Sequence, residues 1–194
     1  MKLLLLIYLL SLISCSAKNG NIRANDLCKD TAHVNIGTKI IHNDTSFVTV
    51  FLDYDFLGEV CVFDEASSCK GRTVRHDIER ENVVMFDLLA KNDSLFYVIA
   101  YWALDNEIIA KGWIRKESHL GVFSAAYDKT FVLYEEPNRR SKVVLEDEEY
   151  NSDIYEVTDF EGKWLKINAK IRGQVYSGWM PPELQCSNVY STCN

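Results

Sequence analysis

The 194-residue chain is 47% hydrophobic and 12% aromatic, which suits a core of one medium or two small domains and excludes a wholly disordered polymer. Its formal charge of −7, from 28 acidic against 21 basic residues with the acidic surplus spread over both halves, argues against a nucleic-acid partner, since phosphate binding requires a basic stripe.

The chain opens with Lys2 and an apolar run over 3–12 that is broken only by Tyr8 and Ser11. That run is shorter than the roughly 20 apolar residues needed to cross a bilayer core, so 1–14 reads as a cleavable signal peptide and the protein as exported. Leu12-Ile13-Ser14-Cys15 resembles the lipobox of bacterial lipoproteins. The resemblance implies that Cys15 is acylated and ties the exported protein to a lipid bilayer. An ordinary secretory signal cut after Ser14, Ser16 or Ala17 is the competing reading. Residues 15–27, poor in apolar side chains, follow as a flexible tether.

Without Cys15, five cysteines remain: Cys28, Cys61, Cys69, Cys186 and Cys193. In an oxidising compartment two sequence-near pairs suggest themselves, Cys61 with Cys69 and Cys186 with Cys193. Each would close a small loop worth about 2.5 kcal/mol in the chain-entropy model. Cys28 is then the odd one out, and a Cys15 retained in the mature chain could pair with it. No C-x₂-C spacing occurs and His33, His42, His76 and His119 are scattered, so the sequence implies neither a metal site nor a cofactor.

Runs of alternating or β-branched residues recur at 47–52, 60–63, 82–89, 96–102, 108–114, 131–134, 155–158, 164–169 and 174–180, the texture of an all-β sandwich or barrel. No segment keeps a helical period over three turns, and 146–150 reads as an acidic loop. Polar clusters such as Lys91-Asn92-Asp93-Ser94, Asp105-Asn106 and Arg172-Gly173 fall where hairpin turns are needed.

An internal repeat runs through these strands. Val60-Cys61-Val62-Phe63 matches Phe131-Val132-Leu133-Tyr134, and Phe86-Asp87-Leu88-Leu89 matches Ile154-Tyr155-Glu156-Val157. Further on, Val98-Ile99-Ala100-Tyr101 lies against Trp164-Leu165-Lys166-Ile167, and Lys111-Gly112-Trp113-Ile114 against Ser177-Gly178-Trp179-Met180. Residues 28–58 find no counterpart, so a first domain over 28–120 is expected to be more elaborate than a second over 121–194.

The second copy carries a family resemblance. Leu133-Tyr134 followed by Pro137-Asn138, then Ser141-Lys142-Val143-Val144, then Gly162-Lys163-Trp164-Leu165-Lys166-Ile167 and Tyr176-Ser177-Gly178-Trp179-Met180-Pro181, resembles the bacterial SH3-like (SH3b) domain. The tail from Gln185 to Cys193 is similar to the ending of exported tandem SH3-like proteins of Bacteroidetes. It departs from them at Val189, where proline is usual, and at Ser191, where threonine is. The resemblance covers the second domain, and reaches the first only through the repeat.

It implies two small SH3-like β-barrels in tandem, the first elaborated, forming a non-catalytic binding module of the bacterial cell envelope. Such a module would recognise cell-wall peptide, glycan or an envelope protein through aromatic grooves. The candidate ligand-binding residues are Tyr134, Tyr155, Trp164 and Tyr176 in the second domain, with Phe63, Tyr97, Tyr101, Trp102 and Trp113 in the first; Trp113 and Trp179 suit core packing better. The alternative is a structural or assembly lipoprotein whose barrels pack on each other or on a partner. A cleft shared by Trp164 and Tyr176 would favour the first reading, and burial of both the second.

The sequence holds no G-x-S-x-G, P-loop, G-x-G-x-x-G or H-E-x-x-H motif. Cys69 and His76 are near neighbours, but a nucleophile needs a base held by a third group, and they read more simply as a disulfide and a surface histidine. The pair Glu135 and Glu136 and the run 146–149 read as solvated turns, and no enzyme is implied.

Overall fold

The computed structural model describes residues 41–42, 47–68, 70–149, 152–191 and Cys193. The chain divides into two compact units, Met1–Ala32 and His33–Asn194, and every described residue belongs to the second. The signal peptide, the tether, Cys15 and Cys28 lie outside the described residues, as does, through Cys69, the Cys61–Cys69 pairing.

The fold is all-β. In chain order come β1 (Ile41–His42), β2 (Val48–Leu52), β3 (Val60–Phe63), β4 (Gly71–Val74), β5 (Val84–Lys91), β6 (Leu95–Trp102) and β7 (Ile108–Arg115). Then follow β8 (Leu120–Ser124), β9 (Phe131–Tyr134), β10 (Val143–Asp147), β11 (Tyr155–Glu161), β12 (Trp164–Ile171), β13 (Gln174–Met180), a 3-10 turn over Pro182–Leu184 and β14 (Gln185–Cys186). Alternation decides which face each strand buries: β6 buries Phe96, Val98 and Ala100, and β12 buries Leu165, Ile167 and Ala169.

Every strand expected from the sequence is present. Three longer strands had no signal there, for separate reasons. β4 exposes three of its four residues, β8 is interrupted by Gly121, and β10 ends in Glu146-Asp147, which the composition assigned to a solvated loop. Asp147 is instead buried, with its carboxylate 3.1 Å from the Arg172 guanidinium.

The strands form one antiparallel sheet in the order β10-β9-β13-β12-β11-β8-β2-β5-β6-β7-β3-β4, with β1 on β5 and β14 on β8. The hydrogen-bonded path is open, where the sequence led us to expect two closed barrels. The order is also a palindrome. Replacing β8 to β13 by β2 to β7 turns one half of the path into the mirror of the other, so the repeat governs the pairing as well as the sequence.

Residue equivalences follow from register. Val98 opposes Gly112 and Ile167 opposes Gly178; Phe63 opposes Trp113 and Tyr134 opposes Trp179. The β5–β6 pair has a bulge after Leu88↔Val98, and the β11–β12 pair has one after Val157↔Ile167. Val98 therefore corresponds to Ile167, three residues beyond the position matched from sequence, and Phe86 corresponds to Tyr155, one residue beyond. The sequence match had slid because the inserted turn residues are invisible to short local alignments.

β2 also has a counterpart, which corrects the expectation of none for 28–58. Val50 opposes Phe86 as Val122 opposes Tyr155, so β8 is the opening strand of the second copy. It is equally the closing strand of the first: Leu52↔Leu120 in β2–β8 repeats as Ser124↔Gln185 in β8–β14. One five-residue strand thus serves both copies. Gly121 makes this possible, because a Cβ there would lie 2.6 Å from Ile154 Cγ2 and 2.8 Å from Phe51 Cε2.

The main core runs through both copies, from Val50, Phe86 and Val98 to Tyr155, Ile167 and Met180. A smaller cluster centres on Phe51, Val83 and Met85, with Tyr54, Phe123, Ile154 and Val189 packed against it. Across the copies, Asp159 accepts from Lys91 Nζ at 2.9 Å and Lys116 Nζ at 3.3 Å. Beside this ion pair Phe96 packs on Phe160, with ring centroids 5.5 Å apart.

Candidate functional site

The second-copy aromatics do not assemble into a groove. Tyr155 is 1% exposed and stacks on Phe131 in the core, which removes it from the ligand-facing set. Its position in β11, opposite Val122, points it inward for the same reason that its counterpart Phe86 points inward. Trp164 lies half-buried with its ring edge-on to Tyr134, centroids 5.7 Å apart.

Tyr176 opposes Ala169 on the core-facing side of β12–β13 and packs against the main core, while its hydroxyl donates to Gln174. Trp164 alternates with Leu165 and so lies on the other face, at the far end of the hairpin. Trp164 and Tyr176 share no cleft. Trp113 and Trp179 are both 8% exposed; Trp179 opposes Lys166, on the face that carries Trp164, and has the Lys91 ammonium 5.9 Å from its ring centre.

A hollow lies in the first copy. A cleft of about 730 Å³ opens between the β2–β3 loop, strand β4 with the segment after it, and the start of β7. Its polar wall holds Arg72, Arg75, His76, Glu79 and Glu107, and Trp102 lies at its side. Three aliphatic side chains line it while facing water: Leu57 at 79%, Ile78 at 71% and Ile108 at 63% exposure. A second hollow of about 180 Å³, lined by Val62, Asp64, Arg72, Ala110 and Lys111, shares Arg72 with the first. The second copy has only the tight Arg172-Gly173 turn where the first has the longer β6–β7 connection that carries Glu107.

The cleft walls are fixed by hydrogen bonds. Val84 N–H donates to His76 Nδ1 at 3.3 Å, which places the ring proton on Nε2, where it is donated to the Asp53 carbonyl at 3.1 Å. Both imidazole nitrogens are thereby engaged with backbone. Arg72 donates to the Ile109 carbonyl at 2.6 Å, and Phe56 stacks on His119, centroids 4.1 Å apart. Among the described residues, no three His, Cys, Asp or Glu side chains come together as a metal ion would require.

The C-terminal tail braces the back of this wall. Cys186 and Cys193 form the disulfide expected from their spacing. The loop they close presents Tyr190, whose hydroxyl donates to the Glu81 carbonyl at 3.0 Å and accepts the Val83 N–H at 3.2 Å. Tyr54 donates to the Val189 carbonyl at 2.8 Å. Burial first, and the neighbouring Tyr190 second, push the Tyr54 hydroxyl up to about 12. Burial and then Asp87 raise Tyr101 to about 12 as well.

No family model and no curated protein matches the chain. Among solved structures it is similar to NlpC1 and NlpC2 from Trichomonas vaginalis, both at 16% identity, with TM-scores of 0.29 and 0.27. The matches cover 79% and 73% of this chain and 50% and 49% of theirs, so the chain spans about half the length of each. Likeness this slight carries no functional argument.

Of the cleft lining, the sequence singles out Trp102 as a first-copy aromatic, His76 as a surface histidine and Ile108 as the start of a strand, but nothing in it gathers them at one site. Leu57, Ile78 and Ile108 are single aliphatic residues on three separate segments. Their one available signal was local: Ile78 sits in the charged stretch Arg75-His76-Asp77-Ile78-Glu79-Arg80, where an apolar residue has no burial motive.

Proposed function

We propose that the chain is a non-catalytic binding module of the bacterial cell envelope that takes an envelope peptide, glycan or protein in the first-copy cleft. The observation that carries this reading is the ring of exposed Leu57, Ile78 and Ile108 around one hollow. Large aliphatic side chains gathered at a concave surface gain free energy when a partner covers them. Arg72, Arg75, Glu79 and Glu107 add polar partners at the rim.

In this reading the copies are tandem SH3-like units, the protein is exported by its signal peptide, and acylated Cys15 holds it to the membrane. The second copy serves as a scaffold, which takes up the structural alternative in part. Its aromatics are satisfied within the chain, Trp164 by Tyr134 and Trp179 by Lys91.

The test is retention of the mature protein on purified envelope material. Ile108→Asp changes a side chain that is 63% exposed and should abolish retention without lowering the melting temperature; Trp164→Ala should leave retention unchanged. Full retention by Ile108→Asp would show that the cleft is not the site. Intact mass of the membrane-extracted protein tests the anchor, which fails if Cys15 carries no acyl chains.

A further inference from the structure

The open edge of the sheet beside the cleft determines what kind of ligand fits. The sheet ends at β10 on one side and at β4 on the other. The β10 edge is blunted against strand pairing by a register shift between Val143 and Leu145 and by the acids Glu146 and Asp147. The β4 edge is short and carries the cation Arg72, but it has neither a register shift nor an acid. Its four residues pair with β3 in unbroken register, Gly71 to Val74 against Phe63 to Val60.

The direction of the free backbone groups follows from the turn. Asp64 N–H donates to the Lys70 carbonyl, so 64 and 70 are a hydrogen-bonded pair. Such pairs alternate along an antiparallel ladder. Arg72 and Val74 therefore bond to β3, while the N–H and C=O groups of Gly71 and Thr73 face the open edge. Arg72 and Thr73 are exposed, and both line the cleft that holds Leu57, Ile78 and Ile108.

Charge supplies the polarity of the ligand. The smaller hollow, which shares Arg72 with the cleft, holds two cations, Arg72 and Lys111, against one carboxylate, Asp64, whereas the cleft sets Asp77, Glu79 and Glu107 against Arg72 and Arg75 and offers an acid no such site. Arg72 spends one guanidinium N–H on the Ile109 carbonyl, which leaves other donors of its fork for a carboxylate.

We propose that the first copy binds an extended peptide as an added strand on β4, bonded to the backbone of Gly71 and Thr73, with an acidic residue or terminal carboxylate held by Arg72 and Lys111. This rests on the cleft being the binding site and names the ligand class for it. Strand addition draws affinity from main-chain bonds and selectivity from alternate side chains entering pockets, and the three exposed aliphatic residues supply those contacts.

The probe is a fluorescein-labelled Thr-Val-Thr-Val-Thr-Asp peptide with a free carboxylate, titrated by anisotropy into the full mature protein. Its control is the C-terminal amide with Lys in place of Asp. Thr73→Pro removes an N–H that faces away from β3, so the fold should keep its melting temperature while binding weakens about tenfold, as should Arg72→Glu. If Thr73→Pro unfolds the protein, the same peptide N-methylated at alternate amides replaces it, and one of the two methylation registers should abolish binding.

Unchanged binding by folded Thr73→Pro, or by both methylated peptides, overturns strand addition. Equal binding of the lysine amide overturns the acidic preference. If no peptide binds while Ile108→Asp still loses envelope retention, the peptide proposal fails and the cleft reading stands. If Ile108→Asp retains fully, the cleft reading has itself failed.

Discussion

Asp159→Ala removes the carboxylate through which the second copy holds two lysines of the first. Lys91 Nζ and Lys116 Nζ both reach Oδ1, at 2.9 and 3.3 Å, and the three side chains are 12%, 19% and 26% exposed. At an effective dielectric of about 20 each contact is worth about 5–6 kcal/mol of Coulomb attraction, most of it offset by desolvation. Removing the acid leaves two ammonium groups facing each other beside Phe160 and also deprives the Phe160 N–H of its acceptor. Fully buried pairs lose about 3–5 kcal/mol when one partner is deleted. Partial exposure here scales that to about 2–3 kcal/mol.

For a folded unit of this size the corresponding fall in melting temperature is about 5–10 °C. Urea denaturation followed by tryptophan fluorescence, at low and at high salt, measures the free-energy loss, and thermal unfolding the shift in melting temperature. Lys116→Met in the Asp159→Ala background should restore part of the loss, because it removes one of the two orphaned charges. A loss under about 0.5 kcal/mol, or one erased by salt, would place Asp159 among ordinary surface ion pairs and refute its role in joining the copies.

Trp179→Ala should cost about 3–5 kcal/mol in the same assay, whereas half-exposed Trp164→Ala should cost clearly less. Gly121→Ala forces a Cβ to within 3 Å of both Ile154 and Phe51, and should lower stability by about 1–3 kcal/mol. Cys193→Ser should speed hydrogen exchange of the Val83 amide, the proton that Tyr190 accepts, and Tyr190→Phe should do the same with the disulfide intact. In alkali, Tyr54 and Tyr101 should ionise near pH 12 by ultraviolet absorbance. Their folded values stand above the usual tyrosine value of about 10, so the stability they confer is whole below pH 10 and is lost between about pH 10 and 12.

How far the sequence reached depended on whether a signal was local. Alternation in 96–102 and 164–169 announced β6 and β12 because each strand has one buried face. The repeated Gly-Trp pair announced the fold's symmetry because Gly112 and Gly178 both lie close against the strand opposite. Tyr155 misled, since an aromatic residue with a polar tip reads alike on either face until its pairing opposite Val122 fixes the face. The cleft was hidden because its aliphatic residues come from three segments that only the fold brings together. β8 was hidden for a different reason, as no short run of five residues declares that it belongs to two copies.

That double membership has a consequence for how such a chain can be lengthened or cut. A series built on shared strands has no joints, since each copy supplies the next with its first strand. In the second copy β14 occupies the place that β8 occupies in the first, so Gln185–Cys186 is where another copy would begin. The chain instead turns back through Cys186–Cys193 and fastens Tyr190 on Glu81 and Val83. The disulfide folds the chain back onto the first copy, and no excision could free either copy without taking a strand from its neighbour.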